Sequence, residues 1–256
     1  MNDINERSSS KSIFSFQRLI FRYKLAKKFV NQGKILDIGC GGEGEIFNFI
    51  NQKDYIGIDY SFRTLKKLSM KFTKANFVCQ KVPLLNFPDA CFENILCLEM
   101  IEHIPEKEGQ ILLDEMYRCL KTGGRLIIST PNAKNRGKDY PAGHAVEYET
   151  DKMKNLIENT GFKILKRTGL FLKILKNRNK KNSFFKIRKD FYKSIEISPE
   201  ETTRSGNPLN IKKYFIISCK NFFNYVLRLL ANFICYLGYI FPNKAEYQFY
   251  IVEKKY

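Results

Sequence analysis

Residues 35–46 read ILDIGCGGEGEI: a short apolar run, then Gly39-Cys40-Gly41-Gly42-Glu43-Gly44, which satisfies G-x-G-x-x-G. Glycines at this spacing let a tight turn approach a ligand with its backbone. Lys34–Ile38 supplies the strand that must precede such a turn, and EIFNFINQ (45–52) resumes helical spacing after it. In a dinucleotide-binding turn the helix N-terminus holds a pyrophosphate. Here Asp37, Glu43 and Glu45 crowd that place and would repel one. The loop has the shape for a nucleotide and the charge for a cation.

Working outward, apolar runs and helical periodicities alternate. Tyr55–Asp59 (YIGID) is a second buried strand, followed by a helix through Leu65, Leu68 and Phe72. Ala75–Cys79, Asn94–Leu98 and Arg125–Thr130 are predicted strands, the last after a Gly123-Gly124 turn. Ile111, Leu112, Met116 and Leu120 mark the helix before it. Thr150 is expected to cap a helix over DKMKNLIENT that Gly161 stops, and Phe162–Leu172 and Gln248–Glu253 are the final strands. This pattern implies an α/β, Rossmann-like, doubly wound and mostly parallel seven-stranded sheet, with an antiparallel last strand and a helical insertion before it. The expected organisation is a lead-in helical segment over 1–33, a core over 34–172, an insertion over 173–245 and the closing strand over 246–256. The lead-in helix itself is placed over 14–31.

The chain of 256 residues has a formal net charge of +18, which favours acidic partners such as nucleic acid, an anionic membrane surface or a phosphorylated or glycan-linked molecule. It also fits a merely lysine-rich, soluble surface. Seven cysteines without a C-x-x-C pair read as reduced thiols of a cytoplasmic protein. MNDINERSSSKS at the start lacks the apolar run of a signal peptide. In the insertion, residues 173–193 are strongly basic with interleaved aromatics, and Lys220–Phe241 is a long apolar helix with Asn224, Arg228 and Asn232 as a polar stripe. A helix packed over the core as a substrate cap, a helix lying at a membrane interface and a membrane span are the three readings. Arg228 at the middle of a span would cost about 2.5–3.5 kcal/mol.

S-Adenosylmethionine is a nucleoside with an ammonium and a sulfonium and no phosphate, so it suits the acidic loop. Asp59, roughly twenty residues beyond Gly39, is placed to accept from ribose hydroxyls. At this point the chain resembles the class I S-adenosylmethionine-dependent methyltransferases over Lys34 to about Leu172. ILDIGCGGEGEI is similar to their first motif and YIGIDYS (55–61) to their second. FPDACFENILCLEMIEHI (87–104) resembles the segment around the fourth strand, and LKTGGRLIISTPN (120–132) the fifth-strand motif. The resemblance implies that Asp37, Gly39 and Gly41 meet the methionyl end of the cofactor, Asp59 the ribose and Tyr60 the adenine. Cys40, Val82 and Leu98 are expected as further contacts. An acid usually follows the third strand and accepts from the adenine amino group; here Lys81 stands at that place and cannot accept.

Glu99-Met100-Ile101-Glu102-His103 follows the fourth strand. If it turns helically, Glu99, Glu102 and His103 share a face, with His144 of GHAVEYET (143–150) in reach. Glu102, His103 and His144 are therefore the candidate catalytic groups, able to take a proton from an acceptor hydroxyl. The E-x-x-E-H and later H-x-x-E-Y are similar to the metal-dependent branch of that family, which includes quinone-pathway O-methyltransferases and small-RNA 2′-O-methyltransferases. That resemblance implies Glu99, Glu102, His103 and His144 as ligands of Mg²⁺ or Mn²⁺. The expected activity is O-methylation of a small, lipid-linked or glycan-type acceptor, in a cytoplasmic protein, with a peripheral place at the inner face of the membrane as the alternative location. RNA ribose methylation depending on Lys180, Lys181, Arg188 and Lys189 is an alternative, as is a non-catalytic cofactor-binding module. Nucleic acid is the weaker partner because NILCL (94–98) lacks the proline of the small-RNA enzymes.

Overall fold

The computed structural model describes residues 13–41, 44–136, 143–172 and 208–255. The basic stretch with Lys180, Lys181, Arg188 and Lys189 lies outside them, as does Glu43. The chain divides into two compact units, one of Arg18–Lys173 with Ile234–Tyr256 and the other of Met1–Gln17 with Ile174–Phe233.

In the first unit the described strands are β1 (Ile35–Ile38), β2 (Tyr55–Asp59), β3 (Asn76–Cys79), β4 (Phe92–Leu98), β5 (Leu120–Pro131), β6 (Phe162–Leu172) and β7 (Ala245–Lys254). They form one sheet in the order β3-β2-β1-β4-β5-β7-β6. β1 pairs in parallel with β2 and β4, whereas β7 runs antiparallel to both β5 and β6. The mostly parallel sheet with one antiparallel strand is thus present, and β7 carries the reversal.

Consecutive strand residues face opposite sides of a sheet, so neighbouring positions feed two separate cores. Leu36, Cys97, Ile128 and Tyr250 join one core with Leu112, Leu113 and Met116 of α3 (Glu106–Cys119) and Met153 and Ile157 of α5 (Thr150–Asn159). Ile35, Leu96, Ile127 and Ile251 join the other with Leu25 of α1 (Ile13–Lys27) and Leu65 and Leu68 of α2 (Phe62–Lys71). A parallel sheet buried on both faces explains why its strands read as continuous apolar runs rather than alternations. A short helix, α4 (Ala133–Arg136), follows β5.

Several local expectations need correction. No α-helix follows the glycine loop; Glu45–Asn48 and Gln52–Asp54 are single 3₁₀ turns. Phe47 instead packs its ring 4.8 Å from Tyr55 and 4.3 Å from Phe72. These aromatic contacts win over helical periodicity in so short a connection. Thr150 is the first residue of α5 and Glu149 occupies the cap position without a capping bond. The long apolar helix, α6, spans Pro208–Ile240, starting twelve residues before the expected Lys220. Proline suits a first helical position because its missing N–H has no partner there.

Where α6 ends, its backbone presses on β6. A Cβ on Gly238 would lie 2.5 Å from the Phe171 backbone nitrogen and 2.8 Å from the Leu170 carbonyl carbon. Thr168 Oγ1 donates to the Tyr239 carbonyl at 2.9 Å in the same contact. Backbone cannot yield as a flexible side chain does, so Gly238→Ala is expected to cost about 1–3 kcal/mol. Thermal unfolding should show Tm lowered by about 2–10 °C.

Candidate functional site

The strand order reverses between β1 and β4, and ligands of such sheets bind at the carboxyl ends of the strands beside that reversal. A cavity of about 590 Å³ lies there. Gly39, Asp59, Tyr60, Val82, Glu99 and His103 all line it, together with Ile58, Gln80, Lys81, Met100, Ile104 and Gly143. One cavity therefore joins the glycine loop to the segment after β4.

Gly39 has φ of 71°, and a Cβ there would lie 2.5 Å from Met100 Cγ. Only glycine allows both the turn and the close approach of the β4 segment. The loop is held from β2: Asp59 Oδ2 accepts from the Gly41 N–H at 3.1 Å and Oδ1 from the Ser61 N–H at 2.8 Å. Each carboxylate oxygen keeps acceptor capacity toward the cavity. Tyr60 is 79% exposed, so its ring is available as one wall for a ligand.

Asp37 is not in the cavity wall. It is buried and accepts a 2.7 Å hydrogen bond from the Tyr55 hydroxyl. Burial pushes its carboxyl up to about 7, opposed by the Tyr55 bond and reinforced by the charge of Asp59. Cys40 is also buried and belongs, like the half-buried Leu98, to the core that includes Tyr55. Neither side chain lines the cavity.

The segment after β4 departs from the helical turn expected of it. Glu99 has φ of 55°, and only Ile101–His103 forms a 3₁₀ turn. Glu99 Oε1 accepts from Ser129 Oγ at 2.9 Å, and Oε2 pairs with Arg22 at 3.4 Å. Glu102 is buried and accepts from Thr130 Oγ1 at 3.1 Å. Burial, with the charge of Glu99 adding to it, holds the Glu102 carboxyl well above the usual range. Ser129 and Thr130 are consecutive on β5, so each glutamate is held by its own β5 hydroxyl.

Glu102, His103 and His144 do converge, each offering a ligating atom within 4.8 Å of the others. Glu99 is not among these three. The Glu102 carbonyl accepts from the N–H groups of Ala145 and Val146, which brings the 143–150 segment to the β4 edge. His103 Nδ1 lies 2.8 Å from the Gly143 carbonyl oxygen, and His144 Nδ1 lies 3.0 Å from Glu147 Oε1. Both acceptors require Nδ1 to be the protonated nitrogen, which leaves Nε2 of each neutral ring as a base or ligand. The rings meet edge to face with centroids 4.9 Å apart. His103 reaches the cavity wall, and His144 stands behind it.

Arg22, Tyr55 and Gln80 escaped the reading of the sequence. Arg22 had a signal, a cation on the apolar face of the lead-in helix. Tyr55 had none, because only the β1–β2 pairing puts it beside Asp37.

Residues 36–128 match the methyltransferase domain family. A probable S-adenosylmethionine-dependent methyltransferase of Mycolicibacterium smegmatis is 27% identical over 142 residues, covering 54% of each chain. A ubiquinone biosynthesis O-methyltransferase of Coxiella burnetii is 25% identical over 167 residues, covering 56% of this chain and 69% of the relative. The chain spans about half the length of the first two curated relatives that it matches, 46% and 54%. A solved S-adenosylmethionine-dependent methyltransferase from Archaeoglobus fulgidus superposes with a TM-score of 0.54 at 17% identity, over 93% of this chain and 94% of that one. That likeness gives the fold. The family match and the sequence relatives support the class I S-adenosylmethionine-dependent methyltransferase superfamily for the core.

Proposed function

We propose that this chain binds S-adenosylmethionine in the cavity at the β1–β4 reversal and methylates an oxygen of a small, lipid-linked or glycan-type acceptor. One observation carries the reading: a single cavity is lined by Gly39, Asp59 and Tyr60 together with His103. The cofactor, when bound, supplies an electrophilic methyl group on a sulfonium.

Asp59 accepts from the ribose hydroxyls, and Tyr60 packs on the adenine. Lys81 cannot accept from the adenine amino group, but Gln80 beside it can. Its Oε1 is buried without a hydrogen-bond partner among the described residues, while its Nε2 donates to the Leu84 carbonyl at 2.5 Å. The Asp37 carboxylate, behind the loop, offers negative charge to the methionyl end. His103 Nε2 takes the acceptor proton as the oxygen attacks, and the Gly143 carbonyl stabilises the imidazolium through Nδ1–H. With the cofactor bound beside Asp59 and Tyr60, it would supply the methyl carbon to the acceptor oxygen and would keep the carbon–sulfur electron pair as a neutral thioether. Most of the acceleration in such a displacement comes from holding the two reactants in line.

The convergence of Glu102, His103 and His144 favours a second form of the same reading. Two imidazoles whose Nδ1 atoms are anchored on oxygen, with one carboxylate, suit Mg²⁺, Mn²⁺ or Zn²⁺. A divalent ion held by these three would lower the pKa of an acceptor hydroxyl.

Calorimetric titration with S-adenosylmethionine tests the proposal, and Asp37 sets its pH dependence. A bound cation favours the ionised carboxylate, so binding below the Asp37 pKa of about 7 must expel a proton. Affinity should rise by up to about tenfold per pH unit below 7 and level off above it. Titrations at pH 6 in buffers of different ionisation enthalpy should report proton release, and Asp37→Asn should abolish it. Absence of any binding across this range would refute the proposal.

A further inference from the structure

Helix α6 carries a row of large apolar side chains that face outward. Phe222, Tyr225, Leu229, Phe233, Tyr236 and Ile240 are each between 46% and 69% exposed. Their spacing of three and four residues puts them on one face, about 27 Å long at the rise of an α-helix. Leu227, Ala231, Ile234 and Cys235, on the other side, are buried. A contiguous exposed apolar stripe of this length marks an interaction site.

The charges around the stripe say what covers it. From Pro208 to Ile240 the helix contains no acidic residue, and Arg228 is the cation whose position borders the apolar row. Arg228 and Asn232 are exposed beside the apolar row rather than turned inward. An arginine at that border keeps its stem on apolar material and its head in water. Tyr225 and Tyr236 supply the amphipathic rings favoured at a membrane–water boundary. Among the described residues no helix is long and apolar enough to cross a membrane. A second copy of a chain with net charge +18 would set the same cations against each other. We infer that α6 lies flat in the surface of a bilayer rich in anionic lipid, its outward face buried among the acyl chains and Arg228 against the headgroups. This docking does not depend on the proposed methyl transfer.

The sequence contains no tryptophan, so Phe233→Trp places a single reporter on the stripe. Phosphatidylcholine vesicles with 30% phosphatidylglycerol should shift its emission to the blue, and brominated lipid should quench it. Partition into these vesicles should exceed that into pure phosphatidylcholine by at least about tenfold, and 0.5 M salt should remove most of the difference. Leu229→Asp in the same background should abolish the shift, and an unchanged circular-dichroism spectrum would show that it still folds. No blue shift with either vesicle would overturn the inference, as would equal partition into both. A blue shift that grows with protein concentration in the absence of lipid would assign the face to a second copy instead.

Discussion

Asp59→Ala is expected to weaken S-adenosylmethionine binding by about 100-fold or more. Asp59 is asked to do two things. Its carboxylate ties the Gly41 and Ser61 N–H groups together across the mouth of the cavity, and in the proposed complex it also accepts from the ribose hydroxyls. A hydrogen bond to a charged group contributes about 1.5–3 kcal/mol, so loss of two to the ligand amounts to at least about 3 kcal/mol. Asp59→Asn separates the contributions. It keeps one acceptor oxygen, so it can preserve part of the loop tie, but it loses the charge and should fall between wild type and alanine. Calorimetry or equilibrium dialysis measures both variants. Binding by Asp59→Ala within threefold of wild type would remove Asp59 from the site, and with it the reading of the glycine loop as a nucleoside pocket.

His103→Ala should lower kcat by about 10²–10⁴-fold, the range contributed by a positioned general base. Cofactor affinity should change by only a few fold, since the role proposed for His103 is toward the acceptor hydroxyl rather than the cofactor. That split between kcat and binding is the signature of a proton-transfer role. Chelation and His144→Ala distinguish the two forms of the proposal. If the histidine acts alone as a base, activity of the wild type survives chelation and His103→Gln is as slow as alanine. If Glu102, His103 and His144 hold an ion, chelation abolishes wild-type turnover, Mn²⁺ restores it, and His144→Ala is as damaging as His103→Ala. Turnover by His103→Ala equal to wild type would show that proton removal takes place elsewhere.

The fold was legible because its signals are local. ILDI followed by glycines, YIGID followed by a capped helix, and apolar runs separated by helical periodicity each report on their own few residues. They produce a doubly wound sheet without reference to distant partners. The glycine loop and Asp59 were legible for the same reason, since a strand–turn–strand spacing brings them to one edge. The segment after β4 was misread because helical spacing was assumed for Glu99. The chain instead turns at that residue with positive φ, and side chains thirty residues away on β5 choose where each glutamate points.

By itself, then, the sequence determined the order of the strands, the glycine turn, the acidic residues around it and the net positive charge. Tertiary structure alone decided that Tyr55 rather than a ligand meets the Asp37 side chain, that Ser129 and Thr130 bond Glu99 and Glu102, and that His144 closes on His103. It also decided that the apolar row of α6 faces outward. Periodicity states which residues share a helical face, but only packing in three dimensions chooses which face is buried. Likewise a carboxylate announces its charge in the sequence, while its partner and its pKa are set by whatever the fold brings beside it.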